Sequence, residues 1–428
     1  MAVFFDHFLH DWVDVVEFDT SYETDIVKSA AGAIEDRRSL IHKPRRKIRF
    51  KWKGLSRREA NRKYLQLARV GFQDGFIVPL YMDQMQVSAL GATGLVVNVE
   101  TTAYRRLKNE GFDGGLLVAN VRDGVLLYEK KAYANGGIAP TSITLNSPLS
   151  EIYGARAIAL PTLFCEANLD PGEFLFQNDD AGEVGVEFDE FYGSAAMPHS
   201  TSDNADAIVL ADVAYASSGA NANFGVPALP ILKVSHEWSA GFSSKVQRMG
   251  ARYRLGHRDR VLRIGRRSQF EHSIRLLIDD RKIFWQLLNF FDNRRGRARP
   301  FYMLSPARMF EPVAIATTHV DVRALGLIQD VQDFVDFVGI QTKGATAPIY
   351  VAKVASVVDL GGNTWRISFV AMIPAVAFAD LDGVTQAHFC RFSEDVLHEV
   401  WETGEVVRIQ FKVIDVLDEI VSDFPVVP

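Results

Sequence analysis

Cysteine is scarce in this chain of 428 residues, which has only two, and no long apolar run is present. Cys165 and Cys390 each lie in an apolar setting, so we expect small core residues rather than a disulfide framework. No apolar run reaches the roughly 18 residues that a membrane helix needs. The first 19 residues carry acids where a signal peptide needs bases. The sequence therefore predicts a protein of cytoplasmic origin that does not span a membrane.

Motifs of common enzyme classes are also absent. The chain contains no GxxxxGK[ST], no GxGxxG after a predicted strand, no HExxH and no GxSxG. His7 and His10 could share a helix face, but no further metal ligand follows at a suitable spacing. His388 is two residues from Cys390, whereas Cys165 has no such neighbour. We therefore predict that the protein is not an enzyme and has no metal or cofactor.

A weak internal repeat runs through the sequence. The endings IVPLYM (residues 77–82) and ARPFYM (residues 298–303) each place Pro 15 positions after a large aromatic residue, Tyr64 or Trp285. Further matches recur in the same order at shifts of 222 to 229 positions: RRS at residues 37–39 and 266–268, IRF at 48–50 with IRL at 274–276, FC at 164–165 and 389–390, and GEVGVEF from Gly182 with GEVVRIQF from Gly404. Ordered matches within a narrow band of shifts indicate a duplication.

The repeat divides the chain into two domains and a connection. We predict a first β domain at residues 1–190, an Ala/Ser/Gly-rich connection at 191–230 and a second β domain at 231–428. Each copy contains a basic strand, one helix and short hairpins, so the predicted class is mainly β (α+β), with a barrel or sandwich and a flanking α-helix in each copy. The apolar piece at 207–216 predicts that the connection is partly ordered.

Local signals support these elements. Ser56 followed by Glu59 is typical of a capping box that begins the first helix. The second helix places Ile283, Phe284, Leu287, Leu288 and Phe291 at helical spacing, which gives a broad apolar stripe. Asp-Gly within residues 114–133 and Gly-Gly-Asn within residues 348–373 each predict a hairpin turn.

Positive charge is concentrated in two zones. Residues 37–63 hold 13 bases and one acid, and residues 248–299 hold 15 bases and five acids, so the rest of the chain has 28 more acids than bases. Two interpretations are open: the zones bind nucleic acid, or they dock onto acidic surfaces of another subunit. Because the acids lie in the same chain and both zones occupy equivalent positions of the repeat, we favour subunit docking.

The second basic zone resembles a segment of tailed-bacteriophage tail-tip proteins. The segment RYRLGHRDRVLRIGRRSQFEHSIRLLIDDRKIFWQLLNFFDNRRGRARPFYM has a basic strand, a helix with an aromatic stripe and the pattern FF..RRGRARPF. The pattern is carried by Phe290, Phe291, Arg294, Arg295, Gly296, Arg297, Pro300 and Phe301. The first copy keeps only Gly75, Pro79 and Tyr81 of this pattern and lacks the arginines. The resemblance is to the distal tail and tail-hub (baseplate) family.

This resemblance implies a structural role in the virion. Each domain would be a tail-tube-like barrel, and the chain would form a closed ring around the channel through which DNA leaves the tail. A trimer with pseudo-sixfold symmetry and a hexamer both fit this expectation. Implied partners are the tail tube, the tail hub or central fibre and the tape measure protein, with DNA only in passage. The protein would assemble in the bacterial cytoplasm and end in the tail tip.

Basic residues are the candidates for the ring contacts. The predicted interface comprises Arg45, Arg46, Arg49, Arg266, Arg267, Arg294, Arg295, Arg297 and Arg299. Four arginines within six residues at the end of the second helix exceed what helix capping requires, so a wider acidic partner surface is expected. The alternative function is a nucleic-acid-binding protein that uses the two basic zones.

Overall fold

The computed structural model has a mainly β fold, as predicted. It describes residues 3–4, 15–28, 35–41, 44–61, 65, 75–103, 105–107, 115–122, 125–176, 181–190, 222–224, 229–233, 239, 242–255, 258–307, 310–324, 336–343 and 348–416. Within these ranges, no helix has both the length and the apolar character needed to cross a membrane.

Strands β1 to β13 belong to the first half of the chain. Their bounds are β1 Val3–Phe4, β2 Val16–Ser21, β3 Thr24–Lys28, β4 Glu35–Ser39, β5 Arg45–Ser56, β6 Phe76–Pro79, β7 Met85–Thr93, β8 Val96–Val99, β9 Gly115–Arg122, β10 Val125–Ala139, β11 Ser142–Leu145, β12 Ile158–Phe176 and β13 Ala181–Glu190.

Strands β14 to β26 and one helix, α1, follow. Their bounds are β14 Ala222–Phe224, β15 Ile231–Leu232, β16 Ser243–Leu255, β17 Arg258–Ile278, α1 Arg281–Arg294, β18 Phe301–Leu304, β19 Phe310–Ile315, β20 His319–Ala324, β21 Phe337–Thr342, β22 Ile349–Gly361, β23 Thr364–Phe369, β24 Leu381–Phe392, β25 Val396–Trp401 and β26 Val407–Asp415.

The second half contains a closed six-stranded barrel. Antiparallel pairings run from β24 to β21, β22, β23, β20 and β19, and β19 returns to β24. Alternate side chains such as Val320, Val338, Ile340 and Ile367 fill its interior. Gly361, Gly362 and Asn363, all with positive φ, turn the β22–β23 hairpin, which confirms the turn predicted from Gly-Gly-Asn.

The first half repeats this cycle of pairings. β12 pairs with β9, followed by β10, β11, β8 and β7, and β7 returns to β12. The chain order of the strands is the same as in the second barrel. β9 and β10 pair as far as Arg122 and Val125, whereas the predicted turn residues Asp123 and Gly124 lie outside the described residues.

A central sheet joins the two halves. β2 from the first half lies between β5 and β25, and β25 belongs to the second half. The strand order across this sheet is β12, β13, β5, β2, β25, β26, β17, β16. One hydrophobic core that includes Phe18, Trp52, Phe284 and Trp401 packs against it. The two halves therefore share a sheet and a core.

The division into two tandem tail-tube-like domains with boundaries at 190 and 231 stays a prediction. Residues 191–221 and 225–228 of the connection, which include the apolar piece at 207–216, lie outside the described residues, as do His7 and His10. Within the connection, β14 pairs in parallel with β22.

The register of the repeat differs from the sequence alignment. Cys165 pairs with Phe76, and Cys390 pairs with Phe301, so Phe76 and Phe301 occupy equivalent places. Pro79 ends its strand, whereas Pro300 precedes its strand. The match of IVPLYM with ARPFYM is therefore wrong by four residues, because strand pairing aligns Phe76, and not Pro79, with the residue that follows Pro300.

The helix predictions are confirmed where they can be compared. The Ser56 hydroxyl and backbone N–H both donate to Glu59 Oε2 at 2.7 and 3.0 Å, and the Glu59 N–H donates back to Ser56 Oγ at 3.3 Å. This is the predicted capping box, and residues 57–61 are helical. In α1, Asp280 is the N-cap and accepts from the Lys282 N–H at 2.7 Å, while Phe284, Leu287, Leu288, Phe290 and Phe291 are buried.

Candidate assembly interface

The basic strand β5 is lined by acids from its two neighbours in the sheet. Arg49 lies 3.2 Å from Glu17 and 3.0 Å from Asp19 on β2, and it also donates to Glu187 on β13. Burial alone would lower the pKa of Arg49, but the hydrogen bond to Glu187 and the nearby carboxylates raise it above its ordinary value. The predicted interface residue Arg49 therefore contacts three carboxylates of its own chain.

Arg45 and Arg46 have acidic neighbours as well. Arg46 Nη1 lies 3.7 Å from the buried Glu190, and Arg45 Nη2 lies 3.7 Å from Glu23. The side chains of Arg45 and Glu23 are both more than half exposed, so this second pair contributes little to stability. A partner that docks on β5 would have to exchange these intrachain pairs, and the predicted contact stays a prediction.

The arginines after α1 form a turn that is bonded to the rest of the chain. Asp395 accepts four hydrogen bonds of 2.8–2.9 Å, two from the backbone and side chain of Arg297 and two from those of Thr24. The Arg297 guanidinium also donates to the Thr24 carbonyl oxygen at 2.8 Å. Arg297 thus ties the end of α1 to β3 of the first half and to the β24–β25 connection.

The other arginines of this turn contact backbone carbonyls. Arg294 Nη1 donates to the Pro300 carbonyl and Arg299 Nη1 to the Asn293 carbonyl, both at 3.3 Å. Arg295 adopts the left-handed conformation that ends the helix, with φ of 52°. The conformations and bonds of these residues give the RRGR pattern a structural role inside the chain, beside the predicted role at an interface.

Arg266 and Arg267 lie on a long two-stranded ribbon. β17 pairs with β26 only from Glu271 to Ile278, while β16 and β17 continue to pair with each other as far as Leu255 and Arg258. Among the described residues, the ribbon at 247–269, here named the arm, has no other strand beside it. Residues 248–267 hold eight arginines and one acid. Among the described strands that have an unpaired edge, those of the arm carry the most positive charge.

A buried charge cluster that the sequence did not reveal lies where the two halves meet. The Arg106 guanidinium lies 3.1 Å from Asp83 and 2.5 Å from Glu399, and Arg281 lies 2.9 Å from the other oxygen of Asp83. These four residues, here named the joint cluster, are buried, and both carboxylates are fully inaccessible. The cluster balances two positive and two negative charges across the halves.

Aromatic rings enclose the joint cluster. The Arg106 guanidinium lies 4.4 Å from the Phe18 ring centroid, and that of Arg281 lies 4.9 Å from the Trp401 ring centroid. Trp401 Nε1 donates to Glu399 at 2.9 Å. Burial raises the pKa of Glu399, although Arg106 and the Trp401 hydrogen bond act against that rise. The cluster is therefore held in one arrangement by rings as well as by charge.

Linear spacing could not identify the joint cluster, because its members lie up to 316 positions apart in the chain.

Comparison with known proteins does not assign the chain to a family. No protein-family model matches the chain, and no curated protein matches it significantly in sequence.

Proposed function

We propose that this protein is a structural component of a bacteriophage tail tip, a distal tail or hub protein that forms a closed ring around the DNA-exit channel. The observation that carries the proposal is the arm at residues 247–269, which extends beyond the central sheet with both strand edges unpaired among the described residues. An isolated two-stranded ribbon is marginally stable in water. A neighbouring subunit in a ring would supply the missing partner.

The class of protein in this proposal comes from the resemblance of the segment around α1 to tail-tip proteins. Its FF..RRGRARPF pattern spans the end of α1 and the start of β18. Phe290, Phe291 and Phe301 of the pattern are fully buried. The pattern thus accounts for the packing of the helix.

The repeated cycle of strand pairings supports a ring in which the barrels outnumber the chains. Two barrels with the same strand order, fixed to each other by a shared sheet, would let three chains present six similar units. A hexamer with each chain contributing one sector is the other closed arrangement. Both would contact the tail tube protein on one face and the hub, central fibre or tape measure protein on the other.

Shortening the arm tests the proposal. Because Gly250 pairs with Arg263, residues 251–262 can be replaced by Asn-Gly, which forms a tight hairpin turn. A second variant, with Arg252, Arg254, Arg258 and Arg260 changed to Ser, keeps the arm's length and removes charge. We expect both variants to melt at nearly the wild-type temperature. Native mass spectrometry should show rings of three or six wild-type chains, and only monomers of the shortened variant.

If the wild-type and shortened chains have the same mass distribution, the arm is not the assembly contact. The serine variant separates the two ways in which the arm could act. If the serine variant still forms rings, backbone pairing across the strand edges is sufficient for assembly. If it forms no rings, charge complementarity is needed as well.

A nucleic-acid-binding function is the second candidate, because a basic two-stranded ribbon fits the major groove of duplex DNA. Fluorescence anisotropy with duplex DNA distinguishes it. A nucleic-acid binder would bind at physiological salt with a log–log salt slope of about −0.9 per phosphate contacted, and the serine variant would lose both affinity and slope. A ring protein would bind duplex DNA weakly, and its rings would form without it.

A further inference from the structure

Two histidines and an aspartate meet inside the second half, on three different strands. His272 lies on β17, His388 on β24 and Asp415 on β26, and one ligand atom of each lies within 4.8 Å of the other two. His388 Nδ1 is 3.4 Å from Asp415 Oδ1, and His272 Nε2 is 4.0 Å from the same oxygen. All three side chains are at most 15% exposed.

His272 has no partner that accounts for its burial. Its side chain is 5% exposed, and neither ring nitrogen makes a hydrogen bond. The rings of Phe242 and Phe270 stack on it at 5.7 and 6.1 Å, and both ring nitrogens are buried from solvent. A buried polar group without a hydrogen bond destabilises the folded chain, and a bound ligand would remove this cost.

The spacing of the three groups fits a tetrahedral metal ion. Ligands at about 2.0–2.1 Å from zinc lie about 3.4 Å from each other in a tetrahedron. The observed separations of 3.4 and 4.0 Å match this value after a small side-chain adjustment. The Phe270 N–H donates to Asp415 Oδ2 at 3.3 Å, which orients the carboxylate so that Oδ1 faces the histidines.

The first half shows what the same place contains without such a cluster. In the first half, Ile48 on β5 pairs with Phe188 on β13. In the second half, His272 on β17 pairs with Val413 on β26, so Ile48 is the counterpart of His272. Leu163, two residues before Cys165, is the counterpart of His388. Ile48 and Leu163 are buried and apolar.

The acid also has a counterpart. Glu190 pairs with Cys165 as Asp415 pairs with Cys390, and Glu190 lies 3.7 Å from Arg46. The first half thus combines two apolar residues with an ion-paired acid. The second half instead places two histidines around its acid, and packing alone does not require that difference.

We propose that His272, His388 and Asp415 bind one zinc ion that ties β17, β24 and β26 together at the base of the arm. Two imidazoles and a carboxylate are a ligand set that zinc accepts, and the fourth position would be filled by water or another ligand. The site is independent of the assembly role proposed above, since it needs only the single chain.

The test uses the purified full chain, treated with a chelator and then titrated with zinc chloride against a chromophoric competitor. We expect about one zinc ion per chain and a rise in melting temperature on zinc addition. Asp415→Asn should weaken zinc binding by about 100-fold or more, because loss of an outer-shell partner alone costs about 10–100-fold. His319→Gln, a histidine outside the cluster, should bind zinc as the wild type does.

A double variant, His272→Ile with His388→Leu, carries the residues of the first half and should fold without zinc. Its melting temperature should be unaffected by zinc or chelator. The proposal is overturned if the wild-type chain binds no zinc, or if the double variant or Asp415→Asn binds zinc with unchanged affinity. Should the double variant fail to fold, the affinity of Asp415→Asn decides alone.

Discussion

Arg106 is the positive charge on which the two buried carboxylates of the joint cluster depend. Burial by itself would lower the pKa of Arg106, but Glu399 and Asp83 hold it above its ordinary value. A buried ion pair gains little net stability over apolar packing, because desolvation offsets the attraction. Removal of one member is costly, however, since a charge is then left in the interior without compensation.

We therefore expect Arg106→Met to lower the free energy of unfolding by about 3–5 kcal/mol. Arg105→Met is the matched control. Arg105 is also buried, but its partner Glu405 is 61% exposed, so its removal leaves no buried carboxylate without a countercharge and should cost clearly less than the removal of Arg106. Urea denaturation of the three proteins measures both differences.

Addition of Glu399→Gln to Arg106→Met restores the charge balance, because Asp83 keeps Arg281. The amide oxygen can still accept from Trp401. This double variant should recover part of the stability lost in Arg106→Met. Equal losses for Arg105→Met and Arg106→Met would show that the joint cluster has no special role.

At the scale of elements, the turn after α1 depends on one glycine. Gly296 has φ of +60°, and a Cβ at this position would lie 2.6 Å from Asp395 Oδ1 and 3.1 Å from Asp395 Cα. The same carboxylate accepts the hydrogen bonds from Arg297 and Thr24. A side chain at 296 would therefore displace the acceptor that joins three segments.

We predict that Gly296→Ala destabilises the protein by more than Gly362→Ala. Gly362 has φ of +62°, with nothing within 4 Å of a Cβ built there, so its substitution costs only the backbone strain of about 1–2 kcal/mol. Gly296→Ala adds the clash and the loss of hydrogen bonds to Asp395. Differential scanning calorimetry of both variants compares them, and equal shifts in melting temperature would contradict the prediction.

Local elements were predictable from the sequence because their signals are local. The Ser56–Glu59 capping box and the apolar stripe of α1 follow from spacings of three or four residues. The register of the repeat was not predictable, because strand pairing decides which positions are equivalent, and it aligns Phe76 with Phe301 rather than Pro79 with Pro300. Ion pairing of Arg49 and Arg297 within the chain was also missed, since charge counts do not show which acids are neighbours.

At the scale of the whole molecule, the position of β2 between β5 and β25 connects the two halves. Phe18 on β2 pairs with Ile48 on one side and with Glu399 on the other. His398 Nδ1 also lies 2.5 Å from Asp19 across this boundary. The sequence repeat predicts similar halves, but it holds no information about which strand completes which sheet, because such pairing is set by contacts nearly 400 positions apart.

The shared sheet predicts that neither half folds stably alone. A chain of residues 1–190 would expose the edge of β2, and a chain of residues 222–428 would leave Glu399 and Arg281 without Arg106 and Asp83. When the two chains are expressed together with a tag on one, we expect them to co-purify and to elute as one complex. Arg106→Met should weaken this association and Arg105→Met should not. If each half is instead a soluble, cooperatively melting monomer that does not bind the other, β2 does not hold the halves together, and the two domains fold independently.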